Sequence, residues 1–319
     1  MKNKINIGIF DGYNMVHNIL TNVTVTIGET DFFFTDSKRV NVMDSEPLLD
    51  ADVLVVGYED INGYFNFRDL DIAIPLTYHQ KGAQQHYIKK TLGQLNLKHF
   101  TYIPTFSLNY NFRPGIKKAM TTFNVDEVLM KPCNSAMARN VKVMKLNDPI
   151  LDQWACKYRD VKFRTKVLGD EGKRTSAENM ILQPRMNLLR EWRVIWMGDD
   201  EFIVAERNFN SKGFGTTNYS GCEYVLLDKD MCWDGEMGYF DMQEVFNELR
   251  VLLEAMKDSP FRSIDLGLTL VNKRPKFVVI EHQYQFGDTM MSWDIRDHIT
   301  KRFIEKMVMP KLDELGIKY

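Results

Sequence analysis

Two carboxylates stand where apolar strands would ordinarily carry none. Asp265 interrupts the run SIDLGLTL, and Glu281 closes the run Phe277-Val278-Val279-Ile280. If the two segments pair as a hairpin, both acids face one cleft. Hard oxygen donors placed so suit Mg²⁺, which keeps several waters and shares its shell with nucleotide phosphates. Taken alone, the same pattern also describes two carboxylates that end strands at a solvated surface, the commoner fate of such residues. A second group lies earlier in the chain. Lys131 ends the segment VDEVLMKP, and Ser135 and Arg139 follow in the loop beyond. A cation, a hydroxyl and backbone amides converging there would bind phosphate. The competing reading is a surface loop with ordinary positive charge.

Elements must position these groups, and the chain is long enough to supply them. Its 319 residues predict two domains or a tightly joined pair. The first third reads as short β-branched runs bounded by Asp and Gly, namely 5–10, 51–58 and 71–76, which predicts a small α/β unit with a partly parallel sheet. The turn after the first run, Asp11-Gly12-Tyr13-Asn14, is not the glycine-rich dinucleotide fingerprint. Helices are expected at about 80–95 and 114–123. The region 147–180 reads as a helix followed by a loop insertion. EWRVIWM and EFIVAERN alternate strongly around Gly198-Asp199-Asp200 and predict a β-hairpin. A helix at 242–256 carries one apolar stripe (Val245, Phe246, Leu249, Leu252, Leu253, Met256), with a capping-box pattern from Asp241 and Glu244. A last helix from about 294 is expected to be interrupted at Pro310.

Composition removes several classes of function. Hydrophobic content of 44% and charged content of 26% fit a folded globular chain, and a net charge of −2 gives no pull toward nucleic acid or anionic membrane. No secretory or spanning segment is legible. Cys133, Cys156, Cys222 and Cys232 lack the spacing of a zinc site or redox dithiol and fit a reducing compartment, so a cytoplasmic protein is expected. His282 alternates to the strand face opposite Glu281 and reads as a packing residue. Trp192, Trp196 and Trp233 read as core rather than as a stacking platform for single strands.

Taken in order, the segments resemble the ATP-grasp family, and within it the RimK-like carboxylate–amine ligases. KPCNSAMARNV (131–141) is similar to the family's Lys-Pro strand and phosphate loop, and ILQPRM (181–186) to its adenine hinge. EWRVIWMGDDEFIVAERN (191–208) is similar to the hairpin after the hinge. SIDLGLT with VVIEHQYQFG (263–287) resembles its magnesium end. The resemblance runs from about 80 to 290. It implies an α/β (α+β) protein with the ATP-grasp fold: an N-terminal Rossmann-like unit at 1–80, an N-lobe at 81–190 and a C-lobe with the magnesium site at 191–319.

The resemblance also implies roles. Lys131 and Lys89 (or Lys90), with Ser135 and Arg139, would hold the ATP phosphates. Gln183, Pro184 and Met186 would form the adenine edge, through the Pro184 carbonyl and the Met186 N–H. Glu191 would accept from the ribose. Asp265, Glu281 and Gln283 would hold Mg²⁺. Arg193, Arg207 and Asn218 would stabilise phosphoryl transfer. The implied reaction joins a carboxylate to an amine or amino acid through an acylphosphate, releasing ADP and phosphate. Neither a membrane nor nucleic acid is an expected partner, and homo-oligomerisation is left open. Three departures stand against the family pattern. The phosphate loop lacks glycines, Gln283 replaces an asparagine, and Gly215, Thr216 and Thr217 stand where the branch carries an arginine. The first two favour a second expectation, a degenerate relative that binds nucleotide or a partner without ligation, and the third bears on the identity of the acceptor. A nucleic-acid-modifying enzyme is a third, and needs a basic face.

Overall fold

A computed structural model describes residues 3–11, 23–36, 51–57, 71–76, 81–108, 112–132, 141–147, 180–198, 201–209, 222–226, 232–233, 240–256, 261–283 and 293–319. The expected helix in 147–180 and the loop Asn134–Asn140 lie outside them.

The leading sheet has five strands in the order β2-β3-β1-β4-β5: β1 (Asn3–Asp11), β2 (Thr24–Ile27), β3 (Thr30–Asp36), β4 (Val53–Gly57) and β5 (Ala73–Leu76). β1 runs parallel to β3 and β4, and β4 parallel to β5, so the expected partly parallel sheet is present. β2 and β3 form an antiparallel hairpin across Gly28-Glu29, with Gly28 at φ 60°, where glycine carries no steric cost. That hairpin went unread in the sequence, although VTVTI alternates and a glycine follows it.

A second, antiparallel sheet has the order β7-β10-β8-β9: β7 (Phe106–Leu108), β8 (Glu127–Pro132), β9 (Lys142–Lys145) and β10 (Met180–Pro184). Helix α2 (Phe112–Phe123) covers one face, where Val128, Met130, Met180 and Leu182 bury against Ile116 and Met120. Side chains alternate along a strand, so Leu129, Lys131, Ile181 and Gln183 take the other face.

The third sheet has six strands in the order β13-β12-β11-β16-β17-β6. These are β6 (Phe100–Tyr102), β11 (Arg190–Trp196), β12 (Phe202–Phe209), β13 (Cys222–Leu226), β16 (Arg262–Val271) and β17 (Arg274–Gln283). A short pair, β14 (Cys232–Trp233) with β15 (Phe240–Asp241), leads into α3 (Met242–Ala255). The expected hairpin 191–208 is present as β11–β12. β16 and β17 also form a hairpin, turning at Asn272-Lys273 with both residues at positive φ. Helix α1 (Lys81–Leu95) and α3 pack on one face against Trp192, Val194, Trp196, Ile264, Leu266, Phe277 and Val279. The stripe of α3 is buried as its periodicity predicts. The capping box closes only half. The Asp241 side chain accepts from the Gln243 N–H, while Glu244 turns to Lys98 and His99 instead of back to the cap.

The other face of the third sheet joins the first unit. Ile195 and Ala205 share one apolar cluster with Ile7, Phe32, Phe34 and the C-terminal helix residues Phe303, Ile304, Val308 and Leu312. That helix runs unbroken as α4 (Trp293–Phe303), a wide π turn (Ile304–Val308) and α5 (Met309–Leu315). Pro310 does not interrupt it. The Met309 N–H reaches back five residues to the Ile304 carbonyl, and the widened turn makes room for the proline ring at the start of α5.

Phe303 is fully buried at this junction and meets Phe261 edge-on, with centroids 5.6 Å apart. Phe303→Ala is expected to cost about 3–5 kcal/mol in urea unfolding, the usual loss for a large core aromatic. Leu270→Ala, at a side chain 52% exposed, should leave the midpoint nearly unchanged.

Candidate active site

The pleat places four positions in one row across the third sheet: Ala205 on β12, Arg193 on β11, Asp265 on β16 and Glu281 on β17. The register shifts between Asp265 and Leu266, so Ile280 is the extra residue that bulges β17 just before Glu281. Bulges re-aim side chains next to functional sites. Here one brings Glu281 directly opposite Asp265 on one face, and sends His282 to the other face, where it is buried and stacks on Tyr87. β6 pairs only with Phe277–Val279, so among the described residues no strand lines the outer edge of β17 beyond Val279. Helix α1 covers that edge instead: Gln85 Nε2 donates to the Ile280 carbonyl at 2.7 Å, and Lys81 Nζ lies 2.6 Å from Glu281 Oε1.

Each acid therefore has its own cation. Arg193 grips Asp265 bidentately, Nε to Oδ1 and Nη2 to Oδ2, both at 2.8 Å, with both side chains buried. Planar guanidinium–carboxylate forks fix geometry as well as charge. Arg193 thus directs two of its donors at Asp265, so its first role here is to hold that acid in place.

The second sheet supplies Lys131. It stands opposite Ile181 on the face of β8 turned away from α2, half-buried. Burial pushes its ammonium down, and the neighbouring Lys81 ammonium adds to the push. The Glu281 and Glu191 carboxylates oppose it, leaving a pKa lowered to about 8. These couplings link Lys131 of the second sheet to Lys81 of α1 and to Glu191 and Glu281 of the third sheet, so groups from both sheets face one cleft.

The chain crosses from β10 to β11 beside this cluster. Gln183 is buried, its Nε2 donating to Thr105 Oγ1 at 3.0 Å, while Pro184 ends β10 and Met186 follows, both partly buried. The crossing is tied down by Thr269 Oγ1 donating to the Asn187 carbonyl and by the Leu189 N–H donating to the Leu268 carbonyl. Gly267 leaves room for it. A Cβ there would come within 2.7 Å of Leu188 Cδ2 and 3.1 Å of Ile280 Cδ1. An apolar patch thus lies between the crossing and the two acids.

Of the residues expected at the site, Lys131, Glu191, Arg193, Asp265 and Glu281 come together. Lys89 and Lys90 are exposed on α1, and the Lys89 ammonium lies 5.6 Å from the centroid of Tyr102. Lys81, two turns earlier, is the α1 lysine that reaches Glu281. Arg207 faces Glu191 in the register of β12 with β11, and Gln283 faces Ser263 in that of β17 with β16. Ser135, Arg139 and Asn218 lie outside the described residues. Sequence reading passed over Lys81, yet a signal existed: a cation is disfavoured in the first turn of a helix, and Lys81 opens α1 with no acid in that turn.

The donor set fits Mg²⁺. Two carboxylates face each other from paired strands, and that ion is commonly held by one or two carboxylates, waters and substrate phosphates. Among the described residues no group of three His, Cys, Asp or Glu side chains forms a metal cage.

No family model and no curated protein matches the sequence. Solved structures do. D-alanine–D-alanine ligase from Bacillus anthracis, complexed with ATP, is 12% identical and aligns over 98% of this chain and 99% of its own, with a TM-score of 0.57. D-cycloserine synthetase DcsG is 13% identical over 94% and 99%, also at 0.57. The macrocyclase MdnC from Microcystis aeruginosa MRC, bound with the precursor peptide MdnA, is 11% identical over 95% and 99%, at 0.51. The chain has the ATP-grasp fold, as the order of its sequence segments implied. No helix among the described residues is long and apolar enough to cross a membrane.

Arg193→Gln leaves the Asp265 carboxylate buried without its fork. It is expected to cost about 3–5 kcal/mol in urea unfolding, the usual penalty for breaking a buried pair. Arg193→Gln with Asp265→Asn should lose clearly less than the sum of the two single changes, because the orphaned charge is then gone.

Proposed function

We propose that this protein is an ATP-dependent carboxylate–amine ligase that forms an amide through an acylphosphate and releases ADP and phosphate. The observation that carries the proposal is the meeting of Lys131 and Lys81 with Asp265 and Glu281 between two sheets of an ATP-grasp fold. The neighbours' printed names support the class, since they are ligases and synthetases and one is complexed with ATP. In this reading 1–80 is the leading unit, 81–190 the N-lobe, with β6 lent to the sheet beyond, and 191–319 the C-lobe.

Lys131 and Lys81 bind phosphate oxygens of ATP as mobile point charges on long stems. Pro184 and Met186 present a backbone carbonyl and an N–H to the adenine edge, Gln183 lies beside them, and the patch of Leu188 and Ile280 receives the ring. Glu191 accepts from ribose hydroxyls. Asp265 and Glu281, with Gln283, would hold Mg²⁺, which supplies charge neutralisation on the polyphosphate. Ser135, Arg139 and Asn218 are assigned to phosphate and transfer by resemblance alone.

The substrate carboxylate attacks the γ-phosphorus and the bond to the β-phosphate oxygen breaks, so ADP leaves. The amine then attacks the acyl carbon, phosphate departs, and the nitrogen loses a proton. Arg207, by resemblance to the family, would stabilise the developing negative charge, a contribution of a few kcal/mol per well-aimed donor. Arg193 serves through Asp265.

Magnesium-dependent ADP release should rise when the right carboxylate and amine are added together, and Glu281→Ala should reduce it to background. ATP binding with no turnover across a broad substrate panel would overturn ligation in favour of a binding role. The lowered pKa of Lys131 gives a further expectation. Its protonated form attracts polyphosphate, so affinity for a non-hydrolysable ATP analogue should fall as pH rises through about 8. Lys131→Arg, charged at every accessible pH, should flatten that decline in a calorimetric titration.

A further inference from the structure

Among the described residues the charges in the cleft balance. Lys81, Lys131 and Arg193 stand against Glu191, Asp265 and Glu281. A bare divalent cation would add two positive charges beside two ammonium groups, and a bare polyphosphate would add negative charge beside two or three carboxylates. A metal–polyphosphate complex disturbs the balance far less. The two ion pairs also differ in kind. Arg193 holds Asp265 by two hydrogen bonds from a rigid fork and is 5% exposed, so Asp265 stays where it is. Lys81 reaches Glu281 Oε1 at 2.6 Å from the end of a flexible stem, and its helix is anchored independently by Gln85 at the Ile280 carbonyl. Its tip can change partners while α1 stays in place.

We propose that Lys81 is a positioning residue that couples nucleotide binding to metal binding. While its ammonium stays on Glu281 Oε1, a divalent cation is kept away from that carboxylate. A polyphosphate draws the ammonium onto its own oxygens and thereby hands Glu281 to the metal. The coupling is reciprocal, as linkage requires. It rests on the ligase reading only in taking Asp265 and Glu281 as the metal acids and ATP as the nucleotide.

Mn²⁺ binding followed by electron paramagnetic resonance tests the coupling without any turnover. Without nucleotide, wild-type protein should bind Mn²⁺ weakly, and Lys81→Met should bind it at least tenfold more tightly. Adding Glu281→Gln to Lys81→Met should abolish the gain. With EDTA present, Lys81→Met should bind a non-hydrolysable ATP analogue at least tenfold more weakly than wild type. Lys81→Gln carries the same expectations should the methionine variant fail to fold. A wild-type protein that binds the analogue, together with a Lys81 variant that gains no Mn²⁺ affinity, overturns the coupling and leaves the ligase reading standing. A wild-type protein that binds no analogue at all overturns both.

Discussion

The site depends on one electrostatic constraint: acids cannot lie half-buried in a cleft unless cations come to meet them. Removing a carboxylate from water costs several kcal/mol, and the attraction of a partner only roughly repays it. Replacing the ion pairs around Asp265 and Glu281 with apolar side chains would serve stability as well. Their presence in a cleft between sheets is therefore what the proposed ligand chemistry accounts for better than folding does. Three different elements answer the constraint. β11 brings Arg193 to Asp265, α1 brings Lys81 to Glu281, and β8 brings Lys131 across from the second sheet.

The backbone makes this meeting possible through a few local irregularities. The bulge at Ile280 sets Glu281 beside Asp265 and sends His282 into the core. Among the described residues the short β6 leaves the outer edge of β17 unpaired beyond Val279, and α1 covers it with Gln85 and Lys81. Gly267 keeps the sheet low enough for Leu188 to close over it where the chain passes from one sheet to the next. The opposite face is apolar. Trp192, Val194, Trp196, Ile264 and Leu266 interlock with α1 and α3 as an ordinary core. One face is apolar along its length; the other is apolar where Ile195 and Ala205 meet the first unit and polar where Arg193, Asp265 and Glu281 stand.

Much of this was legible in the sequence, for identifiable reasons. Strict alternation in EWRVIWM and EFIVAERN gave the hairpin, and the apolar stripe of 242–256 gave α3, because each pattern has one period and one way to bury it. Asp265 and Glu281 stood out because acids are rare in such runs. What stayed hidden depends on tertiary partners. The choice of Lys81 over Lys89 on one helix is decided by which residue lies beside the uncovered edge of β17. The diversion of Glu244 from its cap is decided by Lys98 and His99, residues far away in the chain. Pro310 misled because its rule assumes an unwidened helix, and a π turn removes the conflict. The bidentate grip of Arg193 on Asp265 needed the strand order β11-β16, which no local pattern contains.

The most direct test is a crystal structure of the protein with Mn²⁺ and a non-hydrolysable ATP analogue, using the anomalous signal to locate the ion. The account expects one peak within bonding distance of both Asp265 and Glu281, with the triphosphate lying between that ion and the Lys131 and Lys81 ammonium groups. An ion bound away from both acids, or a nucleotide seated outside the cleft between the second and third sheets, would contradict it.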